Sequence, residues 1–219
     1  MSRIYWSDKK TEKKIEEEEG GPHDGAMPIF LMGPSDDCNS GGQSVEVIDN
    51  AILFYGEVTE NNAKLLNKAI RSLDRDLKLF SIKYGCDSPP IKLHISSRGG
   101  SVFAGLSVAD TIKLCNTPVH TYIDGKAASA ATLISICGDK RYMTENAFIL
   151  IHQLSSGMWG KYEEIKDEVK NLDLIMKKIK KLYSQYTSIS PKKLDEMLKH
   201  DLWLEASECV KLGLVDDII

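Results

Sequence analysis

Ser129 sits in Gly125-Lys126-Ala127-Ala128-Ser129-Ala130-Ala131, a stretch almost free of side chains between a strand pattern and a helical one. A serine at a helix N-terminus lies among free N–H groups, where developing negative charge is favoured, and small neighbours admit a substrate backbone. That setting suits a hydroxyl attacking a carbonyl. Ser97-Arg98-Gly99-Gly100-Ser101 forms a second strand-to-helix turn. Paired glycines accept positive φ and present bare N–H groups, the donors an acyl-transfer oxyanion needs. His152, in Ile151-His152-Gln153, ends a short apolar run and offers a general base. Asp201, in His200-Asp201-Leu202-Trp203-Leu204, places a carboxylate beside large apolar residues, where a partly buried acid would orient an imidazole. Taken singly, each has a plainer role: a helix cap, a simple turn, a structural histidine, an exposed acid ending a helix.

The elements that must carry these residues follow from hydrophobic periodicity. Residues 51–55 read as a short buried strand ending at Gly56. Leu66, Ile70, Leu73, Leu77 and Phe80 then recur at steps of four and three, one face of a helix. Residues 91–95 form a strand, and the next helix carries Phe103, Leu106, Ala109 and Ile112 on one side. Residues 119–123 form a third strand, entered after Pro118 and ended by Asp124-Gly125. The small-residue segment 127–132 opens another helix, and 147–151 is a fourth strand. This β-α-β-α-β order predicts an α/β domain.

A longer helix follows. Tyr162, Ile165, Val169, Leu172, Ile175 or Met176, Ile179, Leu182 and Tyr186 make an apolar stripe. Over about 25 residues it would run roughly 40 Å, more than a domain of this size covers by itself. Either it lies across the core, or part of it overhangs and is buried by another copy of the chain. Ser190-Pro191 caps and starts a short helix, and a last helix from 205 to 212 stops at Gly213.

Composition sets the outer bounds. The 219 residues fit one domain (44–219) preceded by a polar, charged segment (1–43) that buries little apolar surface. Within that segment, residues 28–32 either dock on something or form a loosely packed loop. A net charge of −4 gives no basic face for nucleic acid. Five scattered cysteines without a C-x-x-C pair point away from a disulfide framework or zinc site and toward a reducing compartment. No signal-like run opens the chain, and no stretch nears the ~20 apolar residues that cross a bilayer. The expectation is a protein of the cytoplasm or of an organelle interior, with no cofactor.

Taken together, the four elements resemble the proteolytic subunit of the Clp protease family, over about residues 51–219. The likeness rests on Ile95-Ser96-Ser97-Arg98-Gly99-Gly100-Ser101, Gly125-Lys126-Ala127-Ala128-Ser129, Ile151-His152-Gln153, Asp201-Leu202-Trp203-Leu204 and Gly213-Leu214-Val215-Asp216, five motifs in the family's order. The resemblance implies a crotonase-like ββα superhelix with a protruding handle helix, about 161–187, that joins two rings. It implies Ser129 as nucleophile, His152 as base and Asp201 as orienting acid, with an oxyanion hole from the N–H groups of Gly100 and Ala130. It implies heptameric rings stacked in pairs around a closed chamber, polypeptide substrates, and an ATP-dependent unfoldase as partner.

Several residues depart from the family's pattern. Arg98 stands where proline is usual, and Ala130 replaces a methionine. The Ser129-to-His152 spacing is slightly short. Lys92, His94 and Asp124 replace apolar or aromatic residues at the unfoldase-docking pockets, and the N-terminal segment does not match the pore loop; both stand against docking. Three rival readings remain: a catalytically silent ring subunit, an acyl-CoA hydratase or isomerase of related fold, and a binding module without catalysis.

Overall fold

The computed structural model describes residues 44–219; the N-terminal segment and its apolar run at 28–32 lie outside them. β1 (Val45–Ile48) folds back antiparallel on β2 (Ala51–Tyr55). Thr59 starts α1 (Glu60–Tyr84) by accepting the Asn62 N–H at its side chain, and Gly85 ends it in the left-handed conformation at φ 63. β3 (Ile91–Ser97) follows, then α2 (Val102–Leu114), capped by Ser101, whose side chain accepts the Ala104 N–H. β4 (Val119–Ala128), α3 (Ala130–Ser135), β5 (Lys140–Met143) and β6 (Phe148–Leu150) come next. The chain closes with α4 (Tyr162–Tyr186), α5 (Pro191–Met197), β7 (Trp203–Glu205), α6 (Ala206–Lys211) and β8 (Asp217–Ile218).

The sheet runs β1-β2-β3-β4-β5-β8, parallel from β2 onward. On β3 the apolar residues Ile91, Leu93 and Ile95 are fully buried while Lys92 is exposed and His94 partly so, the alternation a pleat imposes when helices cover one face. Ile52, Phe54, Ile123 and Met143 complete that buried layer, and α1, α2 and α3 lie in contact in sequence order. Each such buried side chain contributes about 1.5–3 kcal/mol of transfer free energy.

β4 is longer than its sequence suggested. Asp124-Gly125 does not end it; between the pairs Ile95↔Ile123 and Ser97↔Ala127 the register shifts, and Gly125 at φ 80 belongs to that irregularity. Beyond it the strand resumes. The first half of β4 pairs with β5 and the second half with β6. The helix therefore begins at Ala130, not at residue 127, because the alanines before it are held in the β4–β6 ladder. The fourth strand is correspondingly trimmed to 148–150.

Two apolar faces differ from the periodicity argument. Phe103 is 65 % exposed, since α2 buries Ala104, Gly105, Val108, Ala109 and Ile112 and leaves Phe103 on the far side. The stripe of α1 buries Leu66 and Ile70, but Phe80, in its C-terminal part, is 45 % exposed. α4 does overhang: Ile179 and Tyr183 are buried against the body, whereas Tyr162, Ile165 and Val169 are exposed. Its bounds match the stripe almost to the residue.

Candidate active site

Small residues explain how the chain turns at Ser129. Ala127, Ala128, Ala130 and Ala131 are all buried, so the last residues of β4 and the first of α3 pack with almost no side chain between them. Ser129 itself takes φ 54 and ψ −127, one of two non-glycine residues with positive φ among those described. Such a conformation costs about 1–3 kcal/mol and persists only where its surroundings enforce it. Here the Ser129 N–H donates to Leu150 O at 3.0 Å. Gly99 packs so closely that a Cβ on it would lie 2.6 Å from Ser129 Cβ.

The same approach exposes two donors. In the Gly99-Gly100 turn, Val58 N–H donates to Gly99 O at 2.8 Å and Ser101 N–H donates to Val58 O at 2.7 Å. Gly99 N–H is taken by Ser97 Oγ at 3.1 Å. Gly100 N–H is left without a partner among the described residues, and in this bridge it points away from Val58. Gly100 adopts φ 142, and a Cβ there would meet Val58 O at 2.5 Å, so no side chain fits. Ala130 N–H, at the first position of α3, has no intrahelical acceptor.

Strand register gathers the remaining groups. β4 and β6 are parallel with Ala128 opposite Leu150, so the residues just beyond, Ser129 and His152, stand at adjoining strand ends. β6 and β7 are antiparallel with Leu150 opposite Trp203. Two steps further along each, His152 falls opposite Asp201, and His152 Nδ1 lies 3.3 Å from Asp201 Oδ1. Among the described residues no hydrogen bond joins Ser129 Oγ to the imidazole. Unbound sites often hold this bond long and close it only with substrate.

Asp201 is not partly buried, as its apolar neighbours suggested. Its side chain is 73 % exposed, because Leu202 and Trp203 beside it are themselves turned outward. Arg98 is exposed next to the glycine turn. Two of the three departures on the sheet's open face pair with each other: His94 Nδ1 lies 2.8 Å from Asp124 Oδ2, to which Tyr55 OH donates at 2.6 Å, while Lys92 lies exposed two residues from His94 on the same strand. Burial, and then this bond to Asp124, push the Tyr55 phenol up to about 12. Sequence reasoning missed Val58, whose ladder frees the Gly100 N–H; a contact between residues 42 apart leaves no local signal.

The Clp protease family model matches residues 45–219, nearly all of the described chain. The chain belongs to the Clp protease family. Relatives include ATP-dependent Clp protease proteolytic subunit 1 of Chlamydia muridarum, 31% identical over 179 residues that span 80% of this chain and 88% of that protein. Proteolytic subunit 2 of Treponema denticola is 35% identical over 169 residues, 76% of this chain and 80% of its own. Among solved structures, a point mutant of ClpP1 from Listeria monocytogenes superposes with a TM-score of 0.67 at 28% identity, covering 78% of this chain and 91% of that one. The fold is thus the crotonase-like fold of the Clp proteolytic subunits. Proteins of this family are generally serine peptidases, and their subunits generally form oligomeric rings. No helix of the described residues is long and apolar enough to cross a membrane.

Proposed function

We propose that residues 44–219 form a serine endopeptidase subunit that hydrolyses unfolded polypeptides or peptides inside a ring-shaped chamber. The observation that carries this reading is the pair of strand registers that bring Ser129, His152 and Asp201 to three adjoining strand ends. His152 Nε2 takes the proton of Ser129 Oγ as the hydroxyl attacks the scissile carbonyl. Asp201 holds Nδ1–H and stabilises the imidazolium. The oxyanion of the tetrahedral intermediate is received by the N–H groups of Gly100 and Ala130, neither of which has another partner among the described residues. Collapse releases the amine, which leaves with the proton from His152; water, activated by the same imidazole, then hydrolyses the acyl ester. No cofactor enters these steps.

The exposed half of α4 supports assembly. Ile165 and Val169 lie on one face and, uncovered, would be an apolar patch of the kind that self-associates. The patch supports a contact between copies through α4; that the copies form heptameric rings stacked in pairs is what the family resemblance implies. The paired His94 and Asp124, with charged Lys92 nearby, give the open sheet face a polar character, so a purely apolar docking peptide from an unfoldase is not its natural ligand.

Two observations favour a second reading, a catalytically silent ring subunit: Asp201 is largely solvated, and no hydrogen bond joins Ser129 to His152 among the described residues. An active-site fluorophosphonate decides. Labelling of the wild-type chain but not of Ser129→Ala, with peptide hydrolysis reduced roughly 10⁴-fold or more, is the expected result. Intact rings that neither label nor hydrolyse would overturn it in favour of the silent subunit.

A further inference from the structure

The peptide unit between Ser129 and Ala130 carries both the carbonyl that ends the strained turn and the N–H that faces the oxyanion. A trans peptide is planar, so its C=O and N–H point in opposite directions. Whatever draws the carbonyl inward therefore aims the N–H outward. Two groups of Thr132 draw it: the backbone N–H donates to Ser129 O at 3.0 Å, and Oγ1 donates to the same oxygen at 2.6 Å.

Thr132 Oγ1 is bonded in turn to the Tyr183 hydroxyl. A hydroxyl has one proton, and Thr132 gives its own to a carbonyl that cannot donate. Tyr183 must therefore be the donor to Thr132, and the chain of protons runs one way, from α4 through α3 to the turn. Thr132 is wholly buried and Tyr183 is 2 % exposed, so neither hydroxyl has water to fall back on. Burial pushes the Tyr183 phenol well above its ordinary value, which keeps the donor's proton in place. Buried hydroxyls cost free energy unless paired, and apolar packing between α3 and α4 would need neither.

We infer that Thr132 and Tyr183 are positioning residues for the Ala130 N–H, a relay from the long helix that fixes the direction of one oxyanion donor. The inference rests on the reading of Ser129 as nucleophile. It requires that losing either hydroxyl slow the chemical step while leaving substrate binding alone.

The test is steady-state hydrolysis of a short peptide substrate, with kcat expressed per fluorophosphonate-labelled serine, by assembled particles of wild-type mass. Thr132→Val is expected to lower kcat about 10–100-fold, less than the 10²–10³ seen when a donor is deleted outright. KM should stay within about twofold, since the interaction belongs to the transition state. The affinity of a peptide aldehyde, whose hemiacetal oxygen occupies the same position, should fall in parallel with kcat/KM. Tyr183→Phe should lower kcat about threefold to tenfold, the worth of one neutral hydrogen bond. Thr132→Ser, which keeps the hydroxyl, should restore most of the rate.

A Thr132→Val particle with wild-type kcat overturns the inference, as does a Thr132→Ser particle as slow as the valine variant. Should the valine variant fail to assemble, Tyr183→Phe at wild-type kcat does the same. Failure of the underlying reading looks different: Ser129→Ala would then hydrolyse peptide as fast as wild type, whatever the relay variants do.

Discussion

Ser129 combines a strained backbone with a surrounding that leaves it no alternative. Its φ of 54 is held by the bond to Leu150 O and by Gly99 packed against its Cβ. The turn thereby lifts the hydroxyl out of the ladder while Ala130 N–H stays free. His152 and Asp201 are less secured. With Asp201 73 % exposed, water competes for the carboxylate, so its hold on the imidazole is weaker than that of a buried acid. Asp201→Asn is therefore expected to cost well under the roughly 10⁴-fold seen when a buried triad acid is amidated. The kcat of the assembled particle checks this. A loss of the full size would mean that assembly buries the pair.

At the scale of elements, α1 is tied to the start of β4 through a single carboxylate. Asp74 Oδ1 accepts the N–H groups of Thr117 at 2.7 Å and Asn116 at 3.1 Å, the loop leading into the strand that ends at Ser129. Burial works against its charge, but these donors outweigh it and hold the carboxyl below its usual range. A depressed folded-state value means that the stabilisation is complete at neutral pH, above the unfolded carboxylate's titration, and is lost as pH falls through the lower folded value. Asp74→Ala should destabilise the fold by about 1.5–3 kcal/mol at neutral pH, the range for hydrogen bonds to a charged group. Urea midpoints of wild type and variant should converge on acidification; a gap that persists in acid would contradict the assignment.

For the whole molecule, the overhang of α4 sets the question of assembly. Val169 is 47 % exposed in the middle of an apolar stripe that the body stops covering before Ile175. Val169→Glu should shift the native particle to a smaller species by mass measurement and lower peptidase activity per chain, because His152 heads the segment that leads into α4. Unchanged mass would place the ring contact elsewhere. The chain's periodicity announced this helix and its ends and left its overhang as one of two possibilities, since a 3.6-residue repeat is a property of neighbouring residues while the extent of the body that covers it is not. The glycine turn, the small-residue turn at Ser129 and the strand before His152 were legible for the same reason. Tertiary structure alone decided that Leu150 lies opposite both Ala128 and Trp203, which is what makes His152 a neighbour of Ser129 and of Asp201. It also turned Asp201 and Phe103 outward, and joined Tyr183 to Thr132 across 51 residues. Periodicity states which face of an element is apolar; the partner that covers that face, and the register at which strands meet, are fixed only when distant segments compete for the same buried space.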